Sequence, residues 1–233
     1  MRQAMVKEIV LDTETTGMDP SSGDRIIEIG AVELMNHLPT GKTLQIYINP
    51  ERDIPADATA VHGITNEFVA DKPVFAQVYT DFLDFIEGGK LIIHNAEFDM
   101  KFLNAELAKV GHKALSWSTV VDTLAIARKK FPGSPANLDA LCRRFGIDNS
   151  GRTYHGALLD SELLAEVYLE LLGGRQHGLS LAAENKGASG AKSTIKAERK
   201  FREPRNFSPS DEEIAAHEEF LEKLKDPIWK KAQ

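Results

Sequence analysis

A single cysteine, Cys142, leaves no second thiol for an internal disulfide and excludes a disulfide-stapled secreted scaffold. No apolar stretch approaches the roughly 20 residues that span a bilayer, and residues 1–8 have no signal-peptide apolar core. The chain is therefore expected to work in a reducing cytoplasm, with no membrane partner. A surplus of positive charge is also missing: the formal net charge is −7, which excludes the broad phosphate-attracting field of a tight duplex binder. A site that concentrates acids and lets cations bridge to phosphate stays open. No internal repeat is found. What the chain does have is 233 residues at 42% hydrophobic content, enough for one substantial core plus an appendage.

The most informative stretch is Val10-Leu11-Asp12-Thr13-Glu14-Thr15-Thr16-Gly17. If residues 6–12 form a strand, side chains two apart point the same way, and the carboxylates of Asp12 and Glu14 leave on one face beside a glycine turn. Two like charges so placed repel, and at least one raises its pKa unless a cation intervenes. A hard divalent ion takes carboxylate oxygens readily, so the pair is a candidate Mg²⁺ or Mn²⁺ site. Asp-x-Glu alone fits an ordinary strand-end turn equally well. Three further segments tip the balance. Ile92-Ile93-His94-Asn95-Ala96-Glu97-Phe98-Asp99 repeats the design, with Phe98, Phe102 and Leu103 at helical spacing around Asp99. Val120-Val121-Asp122-Thr123 is another strand end, where Asp122 suits a helix cap better than a catalytic acid. Tyr154-His155-Gly156-Ala157-Leu158-Leu159-Asp160 sets a histidine and an acid at the start of an apolar helix. On a continuous helix, five residues would put His155 and Asp160 about 140° apart. His155 is therefore expected in the preceding loop, with Asp160 in the first turns.

These segments resemble the DEDD superfamily of 3′→5′ exonucleases, in the branch with histidine in its last motif (DEDDh). Asp12 and Glu14 fit the first motif, Asp99 in His-Asn-x-x-Phe-Asp the second, and His155 with Asp160 at His-x4-Asp spacing the third. Val61-His62-Gly63-Ile64-Thr65 and the tail Asp211-Glu212-Glu213-Ile214-Ala215-Ala216-His217-Glu218 narrow the likeness to proofreading exonucleases of bacterial replicative polymerases. The resemblance implies two divalent ions held by four carboxylates, Mg²⁺ or Mn²⁺ rather than zinc. Asp12 would bridge both ions, Glu14 and Asp160 would complete the water-activating one, and Asp99 would support the ion nearer the leaving group. His155 is the implied general base, a role that suits an imidazole of reference pKa near 6.5. It further implies that His62 and the backbones of Thr15 and Thr16 receive the 3′ end. Phe98 and Val61 can pack on the last base, although Phe98 fits the core equally. Asn95 is either a turn residue or a group orienting Asp99. For His37, His94, His112 and His177 a surface or hydrogen-bonded structural role is expected.

Strands are expected at 6–12, 25–34, 43–49, 90–94 and 118–122. Helices are expected at 65–69, 74–86, 97–110, 123–130, 137–145 and 157–172. The result is an α/β fold: a mixed sheet of about five strands flanked by helices, resembling the ribonuclease H-like architecture. The exonuclease domain is placed at 1–181. Residues 182–206 read as a flexible linker, since 183–205 hold seven Lys/Arg against three Glu and almost no large apolar side chain. In 207–233, Ile214, His217, Phe220, Leu221 and Leu224 form one apolar stripe, with Trp229 as a further anchor. That stripe either folds back on the domain or docks on a polymerase subunit, which would hold the nuclease near a primer end. Gln176, Leu179 and Leu181 resemble a sliding-clamp-binding peptide, or else finish the last helix's packing. The resemblance leaves room for a small accessory subunit. Two other readings compete: an exoribonuclease trimming RNA 3′ ends, and a non-catalytic scaffold between polymerase and clamp.

Overall fold

The computed structural model describes residues 5–174 and 209–223. Five strands form one sheet in the order β3-β2-β1-β4-β5: β1 (Lys7–Thr15), β2 (Ile26–Met35), β3 (Leu38–Tyr47), β4 (Lys90–Ile93) and β5 (Val120–Asp122). β1 pairs antiparallel with β2 and parallel with β4. The mixed five-stranded sheet expected from the sequence is therefore present. Its centre reads as near-continuous apolar runs because both faces are covered. Along β1, Ile9 and Leu11 face a core shared with α3 (Phe75–Ile86) and α4 (Ala96–Lys109). Val10 faces the opposite core, built with α5 (Thr123–Lys130), α6 (Leu138–Phe145) and α7 (Ala157–Leu171). β3 is the polar, exposed edge and carries Pro39 and Lys42, residues that discourage pairing with another chain.

Three expectations need correction. β3 runs Leu38–Tyr47 rather than 43–49, because Leu38 and Pro39 already pair with Met35 and Leu34 and so start the strand five residues early. β1 continues to Thr15, three residues past the expected end, because β2 pairs with it up to a bulge between Glu14 and Thr15. A helix absent from the sequence reading, α1 (Ala56–His62), precedes the expected short α2 (Asn66–Val69). In α1 only His62 is buried, so there is no apolar stripe to betray it.

α7 lies unusually close to β2. A Cβ built on Gly30 would fall 2.1 Å from the Ala157 carbonyl carbon, so no side chain fits there while the helix keeps its place. Polar contacts hold the approach. The Ala157 N–H donates to Glu28 Oε2 at 3.1 Å, which sets an acid at the helix N-terminus, and the Ser161 hydroxyl donates to the Gly30 carbonyl at 3.0 Å. At the far end the Tyr168 hydroxyl donates to buried Glu8 at 2.9 Å. Glu8 also lies 2.8 Å from His37 Nδ1, which gives His37 the structural role expected of it.

The second compact unit contributes α8 (Asp211–Glu222). Ser210 caps it reciprocally with Glu213, and three acids fill its first turn. Ile214, His217, Phe220 and Leu221 fall on this helix. The linker reading for 182–206, the clamp-like Gln176, Leu179 and Leu181, and the anchors Leu224 and Trp229 lie outside the described residues, as does His177. Among the described residues no helix is long and apolar enough to cross a membrane.

Gly30→Ala should cost about 3 kcal/mol or more, since the clash is with backbone that cannot rotate away. A lowered urea midpoint at unchanged m-value would register the loss, and near-wild-type stability would show that α7 yields.

Candidate active site

The C-terminal ends of parallel strands β1 and β4 lie at the same edge of the sheet, and there the four acids meet. Asp12 and Glu14, two apart on β1, share the parity of Val10 and open toward the α7 side. Thr13 faces the other way, and its hydroxyl donates to Asp99 Oδ1 at 2.7 Å. Asp99 sits in the first turn of α4, which starts directly after β4, and Asp160 sits in the first turn of α7; both are buried. His155 lies in the loop before α7, as expected, with its side chain 48% exposed and Nδ1 4.0 Å from Asp160 Oδ2. Its backbone N–H donates to the Val61 carbonyl at 3.1 Å, tying the loop to α1. A cavity of about 900 Å³ is lined by all five of these residues together with Thr15, Thr16, Val61, His62, Asn95 and Phe98.

Arg152 pairs with Asp160, but the other three acids are crowded together in a buried setting. Burial, then repulsion from Asp99, Glu14 and Asp160, pushes the Asp12 carboxyl well above its usual range. Burial and then Asp160 and Glu28 raise Glu14 to about 8. Burial raises Asp99 to about 7 against the hydrogen bond from Thr13. Ligand atoms of Glu14, His155 and Asp160 lie within 4.8 Å of one another. Two carboxylates and an imidazole at this spacing, in one cavity with Asp12 and Asp99, offer a donor set that fits hard divalent cations.

The remaining predicted residues fall into place with some changes. The Thr16 N–H is already taken by the Arg25 carbonyl at 2.9 Å, so it is not a free donor for a 3′ end. Thr15 turns its hydroxyl onto the Gly17 carbonyl at 2.6 Å. His62 is buried and its Nδ1 accepts the Ile64 N–H at 3.0 Å, which puts the proton on Nε2, a donor with no partner among the described residues. Burial and the neighbouring His155 lower its pKa. Asn95 adopts left-handed backbone at φ 66° at the start of α4, and its N–H donates to Asp122 Oδ1 at 3.2 Å. It is a turn residue rather than a partner of Asp99. The Phe98 ring packs on Phe102 with centroids 4.9 Å apart, and the residue also lines the cavity. Asp122 caps α5 through the Leu124 N–H at 2.9 Å. His94 is hydrogen-bonded to Thr123 at 2.9 Å, as its structural role requires, and also lines the cavity.

Four contributors were missed: Thr13, Glu28, Gly30 and Arg152. Glu28 had a signal, an acid interrupting the apolar run Ile26-Ile27-Glu28-Ile29. Arg152 binds Asp160 in a two-pronged pair at 2.5 and 2.6 Å, and nothing in the sequence announces it.

The chain matches the family model described as Exonuclease over residues 9–168. It is 50% identical over 222 residues to DNA polymerase III subunit epsilon of Rickettsia felis, covering 94% of this chain and 97% of that protein. The epsilon subunit of Escherichia coli K12 is 45% identical over 230 residues, with 95% of each chain covered. Among solved structures, the nuclease domain of 3′hExo, a DEDDh family member bound to rAMP, matches with a TM-score of 0.63 at 25% identity. That match covers 74% of this chain and 94% of the other.

Raised carboxyl pKa values mean that the metal-free fold binds protons the unfolded chain has released. This stabilising contribution is complete below the ordinary carboxylate range and is lost as pH rises through about 7 for Asp99 and about 8 for Glu14. Calorimetry in chelator should show Tm falling from about pH 5 to about pH 8, with Mn²⁺ restoring most at the alkaline end. A flat profile would contradict the charge assignment.

Proposed function

The chain belongs to the exonuclease family, in its DEDDh branch, and on that premise we propose that it is the 3′→5′ proofreading exonuclease subunit of a DNA polymerase III. It removes mispaired 3′-terminal nucleotides from single-stranded or frayed DNA and releases nucleoside 5′-monophosphates. The observation that carries this reading is the meeting of Asp12, Glu14, Asp99, Asp160 and His155 in one cavity. Relatives matched over more than nine-tenths of the chain support the replicative setting. Neither competing reading is favoured: a scaffold has no use for an intact catalytic set, and the tail shared with replicative subunits is superfluous in a free-standing ribonuclease.

Asp12, Glu14, Asp99 and Asp160 would hold two divalent ions, Mg²⁺ or Mn²⁺, which when bound would supply Lewis acidity toward water and the scissile phosphate. Around them the protein positions and moves protons. His155 takes the proton of the attacking water, and its exposed side chain can then hand that proton to solvent. Thr13 fixes the orientation of Asp99. In this reading His62, which lines the cavity, gives its Nε2–H to the sugar or phosphate of the last nucleotide. Val61 and Phe98 offer apolar faces to its base, which holds any base without reading sequence.

His155→Ala should lower kcat by about 10²–10⁴-fold with little change in KM, and Asp12→Ala should abolish turnover in a folded protein. Digestion of 3′-labelled DNA with matched and mismatched ends, alongside RNA, checks both. RNA preferred over DNA, or undiminished digestion by Asp12→Ala, would reject the reading.

The acidic net charge suits an enzyme delivered to DNA by its partners. In this reading residues 207–233 bind the alpha subunit of the polymerase, Gln176, Leu179 and Leu181 engage the sliding clamp, and a small accessory subunit completes the assembly. Removing 207–233 should abolish co-purification with the alpha subunit while sparing hydrolysis of free single strands. Full-strength binding by the truncated chain would refute the docking role.

A further inference from the structure

Arg152 is 9% exposed, and its guanidinium fork occupies both oxygens of Asp160, Nε to Oδ1 at 2.5 Å and a terminal nitrogen to Oδ2 at 2.6 Å. The other terminal nitrogen reaches Asp139 Oδ1 at 2.9 Å. A two-pronged, charge-assisted pair of this kind is among the strongest polar contacts a carboxylate can make. Asp160 is also one of the three residues, with Glu14 and His155, whose donor atoms lie within 4.8 Å of one another. A divalent ion seated on those atoms would stand only a few ångströms from the guanidinium, where like charges repel strongly in a partly dry cleft.

The loop between α6 and α7 feels this contact directly. Arg152 lies three residues before His155, and its own N–H donates to the Asn149 carbonyl at 3.1 Å. Asn149 in turn donates to the same Asp139 oxygen that receives Arg152, at 2.9 Å. Asp139, on α6 and about half-exposed, is thus a second acceptor already in contact with Arg152.

We propose that Arg152 is the site's resident counter-cation: it competes with the catalytic metal for Asp160, and its transfer to Asp139 on metal loading frees the loop so that His155 turns into the cleft. The inference rests on the metal-dependent nuclease reading above. Arg152 is a positioning residue here, acting through Asp160 and His155. Before loading it spares the fold one unpaired buried carboxylate. After loading it is no longer needed at that oxygen pair, and the same displacement that admits the ion readies the base.

The test is Mn²⁺ titration of the full chain without DNA, followed by electron paramagnetic resonance. Removing a competitor tightens binding, whereas damage to a merely structural contact weakens it. Arg152→Gln should bind Mn²⁺ about tenfold more tightly, an affinity change of one ion pair's order. Arg152→Lys, which keeps the charge without the fork, should fall between and guards against poor folding of the glutamine variant. In parallel, the His155 ring resonances should shift on adding Mg²⁺ to the wild type and already sit at the shifted position in metal-free Arg152→Gln. Equal or weaker Mn²⁺ binding in Arg152→Gln, or a His155 signal indifferent to Mg²⁺, overturns the proposal. If the wild type still digests DNA in that case, the nuclease reading survives; if the wild type digests no DNA, both fall.

Discussion

Crowded negative charge at the end of β1 is the constraint on which the rest of this structure turns. Asp12, Glu14, Asp99 and Asp160 are brought together in a cleft where burial first, and repulsion between acids second, drive three of the carboxyls toward their protonated forms. Such a cluster works against folding. It persists because stronger features over-determine it: a sheet sealed on both faces, a helix pressed on a glycine, and an arginine fork on one of the acids. The strain is local and matches the chemistry, since oxygens that repel one another in isolation are well disposed to share cations. Stability given up at a functional cleft in this way is the usual compromise between folding and activity.

Strand parity and strand direction together explain how distant stretches of chain arrive at one place. Alternation along β1 sends Asp12 and Glu14 toward α7 and Thr13 toward α4, so a single strand organises acids coming from both sides. Parallel pairing with β4 brings that strand's end alongside, and α4 starts there with Asp99 in its first turn. On the other side, the antiparallel partner β2 supplies Glu28 and Gly30, which seat the N-terminus of α7 and with it Asp160.

Much of this arrangement is legible in the amino-acid sequence. The two-residue spacing of Asp12 and Glu14 defined their shared face, and the five-residue spacing of His155 and Asp160 required a break between loop and helix, which Gly156 provides. The long amphipathic α3 is legible from its spacing, and the short α5 begins and ends where expected. α1 stayed hidden because it buries almost nothing and so leaves no periodic trace. The extra length of β1 was masked by polar residues, Thr13 to Thr15, that are buried only because neighbours cover them. Arg152 and Thr13 are contacts of tertiary structure, across a loop and across the sheet, and spacing along the chain carries no information about either. The unpaired Nε2 of His62 likewise exists only once Ile64 folds back onto the ring.

α7 is fastened at both extremities. Its first turn is bonded to Glu28 and Gly30, and its last turns are held by Glu8 through Tyr168 and by Lys130 on the Leu171 carbonyl at 2.9 Å. A strut clamped in this way cannot slide or tilt without breaking contacts some twenty ångströms apart on an α-helix of this length. Compliance on the α7 side of the cleft therefore belongs to the eleven-residue span from Gly146 to Gly156 that precedes the helix, rather than to the helix itself. Inherited variation that retunes turnover without disturbing the scaffold would be expected to accumulate in that span, where a change in slack alters timing but leaves Asp160 anchored.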